Sequence, residues 1–216
     1  MTIRRYTNLT TISHAIILFG VLQFFLLTFL AAILYPGGYD YFGYYFSDLG
    51  AITARNGEAN TASGPLFFLA LTTVSITCVP FWIALPRFFD QSRGERIPSV
   101  IGSAMGLACS PLLIGVALFP LDTQLETHFV LVLTHFSLFS ISILSYSIAL
   151  ILGRRHHYSF SLLGLIALSI GILLMVNPTA TYSALLQKAV VYVYFSWIGA
   201  LTYLIRTPAT REAEKN

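Results

Sequence analysis

Asp48, Asp122 and His128 are the side chains best suited to proton transfer or ligand coordination, and all three sit in or beside turns that interrupt long apolar runs. Carboxylates beside an imidazole suit three roles. They can hydrogen-bond loop backbone and hold a turn in place. They can bind a divalent cation, where hard oxygens with one imidazole suit zinc or manganese better than copper. They can also form an acid/base pair acting on a lipid headgroup or ester, with the Ser47 hydroxyl as nucleophile. The spacing alone leaves all three open, and no cofactor beyond that divalent metal is indicated. His135 follows His128 by two helical turns, so it shares a face with His128 but lies roughly 10 Å deeper. That distance keeps it off a common metal and makes it a buried hydrogen-bonding or proton-relay group. Ser142 and Tyr146 continue the same stripe, which must face a bundle interior because unpaired polar atoms are costly in lipid. Asn60 and Ser63 precede the second apolar run and suit a helix cap. Ser47, Asn60 and His135 are therefore ligand-contacting candidates beside the first three.

The elements that must position these groups are membrane spans. The chain has 216 residues, 56% hydrophobic and 10% charged, with mean hydropathy +0.76. Such a composition cannot cover a water-facing surface. Six apolar segments are long enough to cross a hydrocarbon layer of roughly 30 Å. They run approximately His14 to Tyr35, Pro65 to Phe89, Ser99 to Phe119, Thr127 to Leu152, Ser161 to Asn177 and Ala189 to Ile205. The expected fold is all-α: a polytopic six-helix membrane domain over residues 1–206, with a short mobile tail over 207–216. Ten of the twelve Lys and Arg residues fall on one side of these spans, which places both termini in the cytoplasm by the positive-inside rule. The remaining cations, Arg55 and Lys188, share the opposite loops with Asp40, Asp48, Glu58, Asp122 and Glu126. The net charge of +3 comes mainly from loops facing anionic headgroups, so membrane lipids are the expected partners and nucleic acid is not. The localisation that follows is the cell membrane, multi-pass.

The longest connection, about Pro36 to Gly64, alternates aromatic rings with carboxylates from Tyr39 to Asp48. Rings with a polar tip favour the headgroup level, so this loop should cap the outer ends of the helices. A loop this long is more often functional than filler. Gly102 and Gly106 form a small-residue pair whose reading is a tight contact inside the monomer. Cys78 and Cys109 lie inside apolar segments at similar depths, where thiols behave as small hydrophobes.

Tyr35-Pro36-Gly37, Phe46-Ser47-Asp48-Leu49-Gly50, Asn60, and Gly115 through Asp122 followed by His128 occur in an order that resembles a prokaryotic membrane family. That family is catalogued as domain of unknown function 998 and is similar in outline to DRAM and Frag-type six-helix membrane proteins. The resemblance implies a six-helix bundle in which the Ser-Asp-Leu-Gly and Phe-Pro-x-Asp turns meet on the outer side, and it implies no established reaction. Frag-type relatives are associated with remodelling of lipid-anchored proteins, which tilts the expectation toward lipids. Ser47, Asp48 and His128 also resemble part of the zinc site of membrane ceramidases, but the sixth segment has no His to complete it. The expected function is recognition of an outer-leaflet lipid or amphiphile at an outward Asp/His pocket, with hydrolysis as its extension. The alternative is a noncatalytic structural or accessory subunit docking onto a membrane-protein partner in a larger complex. Transport would need the polar stripe to line a continuous wet path.

Overall fold

The computed structural model describes residues 3–89, 92–153, 158–176 and 182–213, with side chains described between residues 13 and 204 of those ranges. Six helices follow one another: α1 Ile3–Ile33, α2 Ser63–Ala84, α3 Arg93–Leu118, α4 Leu125–Leu152, α5 Tyr158–Val176 and α6 Ser183–Ala213. Each contains a stretch long and apolar enough to cross a membrane, and there is no strand among the described residues. The chain is an all-α multi-pass membrane protein. Lipid-facing residues confirm the solvent for which the surface is made. Phe19, Leu22 and Phe29 of α1 are each more than half exposed, an arrangement water would penalise and acyl chains do not.

Successive helices are neighbours, and α1 also touches α6, which closes the bundle. Its centre is an aromatic seam between α2, α4 and α6. Phe139 stacks on Tyr194 with centroids 4.8 Å apart, while Tyr146 lies 6.1 Å from Trp82 and 6.2 Å from Trp197. Rings this large need gaps opposite them, and glycines supply these. A Cβ at Gly106 would collide with the Trp82 indole, and one at Gly102 would meet the Tyr146 ring. The Gly102/Gly106 pair thus packs α3 against α2 and α4 within one chain, the small-residue approach that drives helix association in lipid.

The polar stripe of α4 faces inward and is bonded to α3. His135 Nδ1 donates to the Cys109 carbonyl at 3.2 Å, and Ser142 Oγ to the Gly102 carbonyl at 2.8 Å. Ser103 Oγ donates to the Trp82 carbonyl at 2.6 Å and lies 2.5 Å from the Tyr146 hydroxyl. Since Ser103 has one proton and a carbonyl can only accept, Tyr146 is the donor to Ser103. Cys78 and Cys109 are buried free thiols. Gln23 ties α1 to α2 by donating to the Ala70 carbonyl at 3.1 Å.

Several boundaries differ from the hydropathy pattern: α1 starts at Ile3 and α3 at Arg93, upstream of the expected His14 and Ser99, and both ends of α6 extend. The helical backbone of α6 starts at Ser183, upstream of the apolar run that opens at Ala189, and it continues to Ala213 past the end of that run. Lys188 is therefore helical and buried, 1% exposed, instead of standing in a loop. Of the basic side chains opposite the aromatic loop, Arg87, Arg93 and Arg96 are described. Arg4, Arg5, Arg154, Arg155, Arg206, Arg211 and Lys215, with His156 and His157, lie outside the described side chains.

Candidate functional site: a capped cavity at one end of the bundle

The loop from α1 to α2 folds over the bundle end where α3 gives way to α4. Gly37 and Gly38 follow Pro36 with φ of 74° and 89°, a backbone region L side chains rarely adopt, and so turn the chain sharply off α1. The loop then buries a 3₁₀ turn, Phe46–Gly50. Asp48, 3% exposed, is the anchor of this turn. Its carboxylate accepts from Tyr45 N at 2.7 Å and from Arg55 Nε and Nη2 at 2.9 and 3.1 Å, a two-pronged ion pair. That hydrogen bonding raises Arg55 above its ordinary value, so the guanidinium stays charged. Arg55 N donates to Tyr35 Oη at 3.0 Å, and Tyr39 Oη donates to the Tyr45 carbonyl at 2.9 Å. Burial pushes both phenols up from their usual range, so they remain neutral hydroxyls.

Asn60 and Ser63 do not cap α2. The residue before that helix is Ala62, without a side-chain cap bond. Asn60 Nδ2 instead donates to the Leu49 and Ala51 carbonyls, both at 2.9 Å, and Ser63 Oγ to the Leu49 carbonyl at 2.9 Å. The buried turn leaves carbonyls that need donors, and satisfying them outweighs a cap at a helix start within reach of water.

The second turn follows Phe119, where Pro120 lacks the N–H that would continue α3. Asp122 reaches across to the cap and accepts from Ile52 N at 3.1 Å and Thr53 N at 2.9 Å. His128, 3% exposed in the first turns of α4, donates from Nδ1 to the Phe119 carbonyl at 2.7 Å. A carbonyl only accepts, so the proton sits on Nδ1 and Nε2 carries a lone pair. That Nε2 is sealed off even from water and has no hydrogen-bond partner among the described residues.

Helix α6 supplies three further anchors that the apolar pattern concealed. Gln187 Oε1 accepts from Phe46 N at 2.7 Å. Ser183 Oγ lies 2.6 Å from Tyr45 Oη. Lys188 Nζ donates to the Tyr44 and Ala184 carbonyls and faces the Tyr39 and Tyr41 rings at 5.4 and 5.3 Å, within cation–π range. Ser183 and Gln187, four residues apart, form one polar helix face, a signal the sequence did contain.

Three of the cavities among the described residues involve these side chains. One of about 340 Å³ lies in the cap surface and is lined by Asp48, Arg55 and Asp122. A second, of about 170 Å³, is walled by α4, α5 and the cap; its polar residues are Tyr45, Ser47, His128 and Gln187. A third, of about 50 Å³, lies among Leu71, His135, Phe139 and Tyr194, and shares Ser47, Val132, Phe136 and Gln187 with the second. No Asp, Glu, Lys or Arg lines either of these two inner spaces. The second reaches the membrane side of the bundle at Leu125 and Phe129, 59% and 42% exposed. Ser47 and His128 thus share the second cavity, Ser47 and His135 the third, and Asp48 and Asp122 the first, while Asn60 lines none of the three and stays within the turn. Among the described residues no three His, Cys, Asp or Glu side chains are placed to hold a metal ion.

A family model described as "Protein of unknown function (DUF998)" matches residues 18–204. No curated protein and no solved structure matches the chain.

Proposed function

The chain belongs to the DUF998 family of unknown function, and from its geometry we propose that it recognises an amphiphile entering sideways from the bilayer into the cavity between α4, α5 and the cap. The observation that supports this reading is the cavity itself, about 170 Å³ with a mostly apolar wall that reaches the membrane side at Leu125 and Phe129. Ser47 and Gln187 add a hydroxyl and an amide N–H in the same wall. At roughly 30 Å³ per water-sized volume, about 170 Å³ takes a polar group and its first few methylenes, with the rest of the acyl chain lying along Leu125, Phe129 and Met175. By the positive-inside rule the cap end faces outward, so the ligand comes from the outer leaflet of the cell membrane.

Any hydrolysis in this site falls to Ser47 and His128, because Asp48 and Asp122 are held by Arg55 and by loop amides. That same use of both carboxylates favours the second reading, a noncatalytic subunit whose cap is a docking platform for a membrane-protein partner. A monoacylglycerol bearing a tail diazirine, irradiated with the protein in nanodiscs, separates the two. Adducts concentrated on Leu125–Leu133, Leu174 and Met175, and lost in a Met175→Trp variant, support the pocket. Adducts spread evenly over the lipid-facing residues of all six helices, unchanged by Met175→Trp, refute it.

A further inference from the structure

The cap cavity, about 340 Å³, and the cavity between α4, α5 and the cap, about 170 Å³, adjoin along Tyr45, Leu121 and Leu125, which line both. On one side of that row the lining is ionic, with Asp48, Arg55 and Asp122. On the other side no Asp, Glu, Lys or Arg is present, and Leu125 and Phe129 open toward lipid. A space that passes from ionic to apolar across one row of side chains matches the polarity profile of a lipid at its head-group boundary.

The charges of the cap cavity are unequally matched. Asp48 accepts from Arg55 Nε and Nη2 and from Tyr45 N, so this carboxylate and the guanidinium cancel. Asp122 takes one backbone amide on each oxygen, from Ile52 at 3.1 Å and Thr53 at 2.9 Å. Each oxygen keeps a lone pair, and no cation is bonded to this carboxylate among the described residues. Two carboxylates against one guanidinium leave the lining with one net negative charge, and Asp122, exposed, is where a ligand can reach it. A primary ammonium fits this remainder, since it supplies the missing charge together with N–H donors for the free lone pairs. A quaternary ammonium brings the charge without donors, and an anionic head group meets a like charge. Across the boundary, Ser47 is 6% exposed, makes no side-chain hydrogen bond among the described residues and lines both inner cavities. Unlike His128 Nε2, its hydroxyl is not sealed off, so it can donate to an oxygen that links head to chain.

We propose that the amphiphile lies across this boundary, with a primary ammonium head group against Asp122 in the cap cavity, its linking oxygens beside Ser47 and its chain leaving at Leu125 and Phe129. The inference rests on the amphiphile reading above and names the head group of that ligand.

Lysophosphatidylethanolamine, lysophosphatidylcholine and lysophosphatidylglycerol of one chain length differ at the end of the head group: a primary ammonium, a quaternary one and an uncharged diol. Each is set to compete with the diazirine monoacylglycerol for labelling of the intact protein in nanodiscs. The ethanolamine lipid is expected to displace the label at roughly fivefold lower concentration than either of the others, the scale of one partly exposed ion pair. Added salt should shrink that margin, because screening weakens the ion pair and leaves chain burial in place. Thr53→Lys puts a cation into the same lining while keeping the Thr53 amide on Asp122, and should abolish the margin. Equal displacement by all three lipids, or a margin that neither salt nor Thr53→Lys reduces, overturns the ammonium assignment. The labelled probe is uncharged, so its pattern reads the pocket independently, and the pocket then stands. An even spread of adducts that none of the three lipids displaces overturns both.

Discussion

Replacing Asp122 by Ala removes the one side chain that pins the cap to the α3–α4 turn through backbone amides. Two bonds are lost, from Ile52 N and Thr53 N. Both lie near solvent, so water replaces the carboxylate and each bond is worth about 0.5–1.5 kcal/mol net, roughly 1–3 kcal/mol together. Because Asp48, Asn60, Gln187 and Lys188 still hold other parts of the loop, the loss appears as local opening and leaves the helices folded. Hydrogen exchange of the detergent-solubilised protein should then show the Ile52 and Thr53 amides exchanging roughly 5- to 100-fold faster, at 1.4 kcal/mol per decade. The Tyr45 amide, bonded to Asp48 at 2.7 Å, is the internal control and should change little. If Ile52 and Thr53 keep their protection in the variant, Asp122 is not a structural clip and the assignment of its carboxylate to the cap is wrong.

Ser103 and Tyr146 should respond unequally to deletion. Tyr146→Phe removes a donor while Ser103 keeps its bond to the Trp82 carbonyl, at a cost of about 0.5–1.5 kcal/mol; Ser103→Ala orphans a fully buried hydroxyl and a carbonyl, at about 1–3 kcal/mol. Thermal unfolding in one detergent ranks them, and a larger loss for Tyr146→Phe contradicts the donor order given above. Gly106→Leu should lower the unfolding midpoint further, since overpacking against Trp82 costs about 1–3 kcal/mol or more. A midpoint equal to wild type would remove Gly106 from the α2–α3 contact.

The six spans were legible because apolar length is a coarse property that loops cannot imitate, and the inward stripe of α4 followed from the cost of polar atoms in lipid. The meeting of the two turns was an implication of the family resemblance, and His128 drew attention because it stood against the apolar background of α4. The partners were harder to read. Arg55 was read as one of two cations in the opposite loops, yet its fork matches Asp48 only after the intervening loop has closed. Lys188 was assigned to a loop because a charged residue lowers window hydropathy, whereas its long stem lets the ammonium reach the Tyr44 carbonyl from inside α6. Asn60 and Ser63 sat where a cap is expected, and a local rule cannot see the carbonyls of Leu49 and Ala51 brought up from earlier in the chain. Gln187 escaped notice altogether, since its role depends on an amide 141 residues away.

That separation governs how the cap is completed during biosynthesis. The first loop is made early, but Gln187 and Lys188 belong to the final span, and the bond from Lys188 to Tyr44 joins residues 144 apart. Until the last helix is inserted, the aromatic segment has only the partners it can find in itself and in the two hairpins already made. Closure of the lid over the cavity is therefore a late event in assembly, and truncation upstream of Ser183 would yield a five-span product with its headgroup-side surface unsealed.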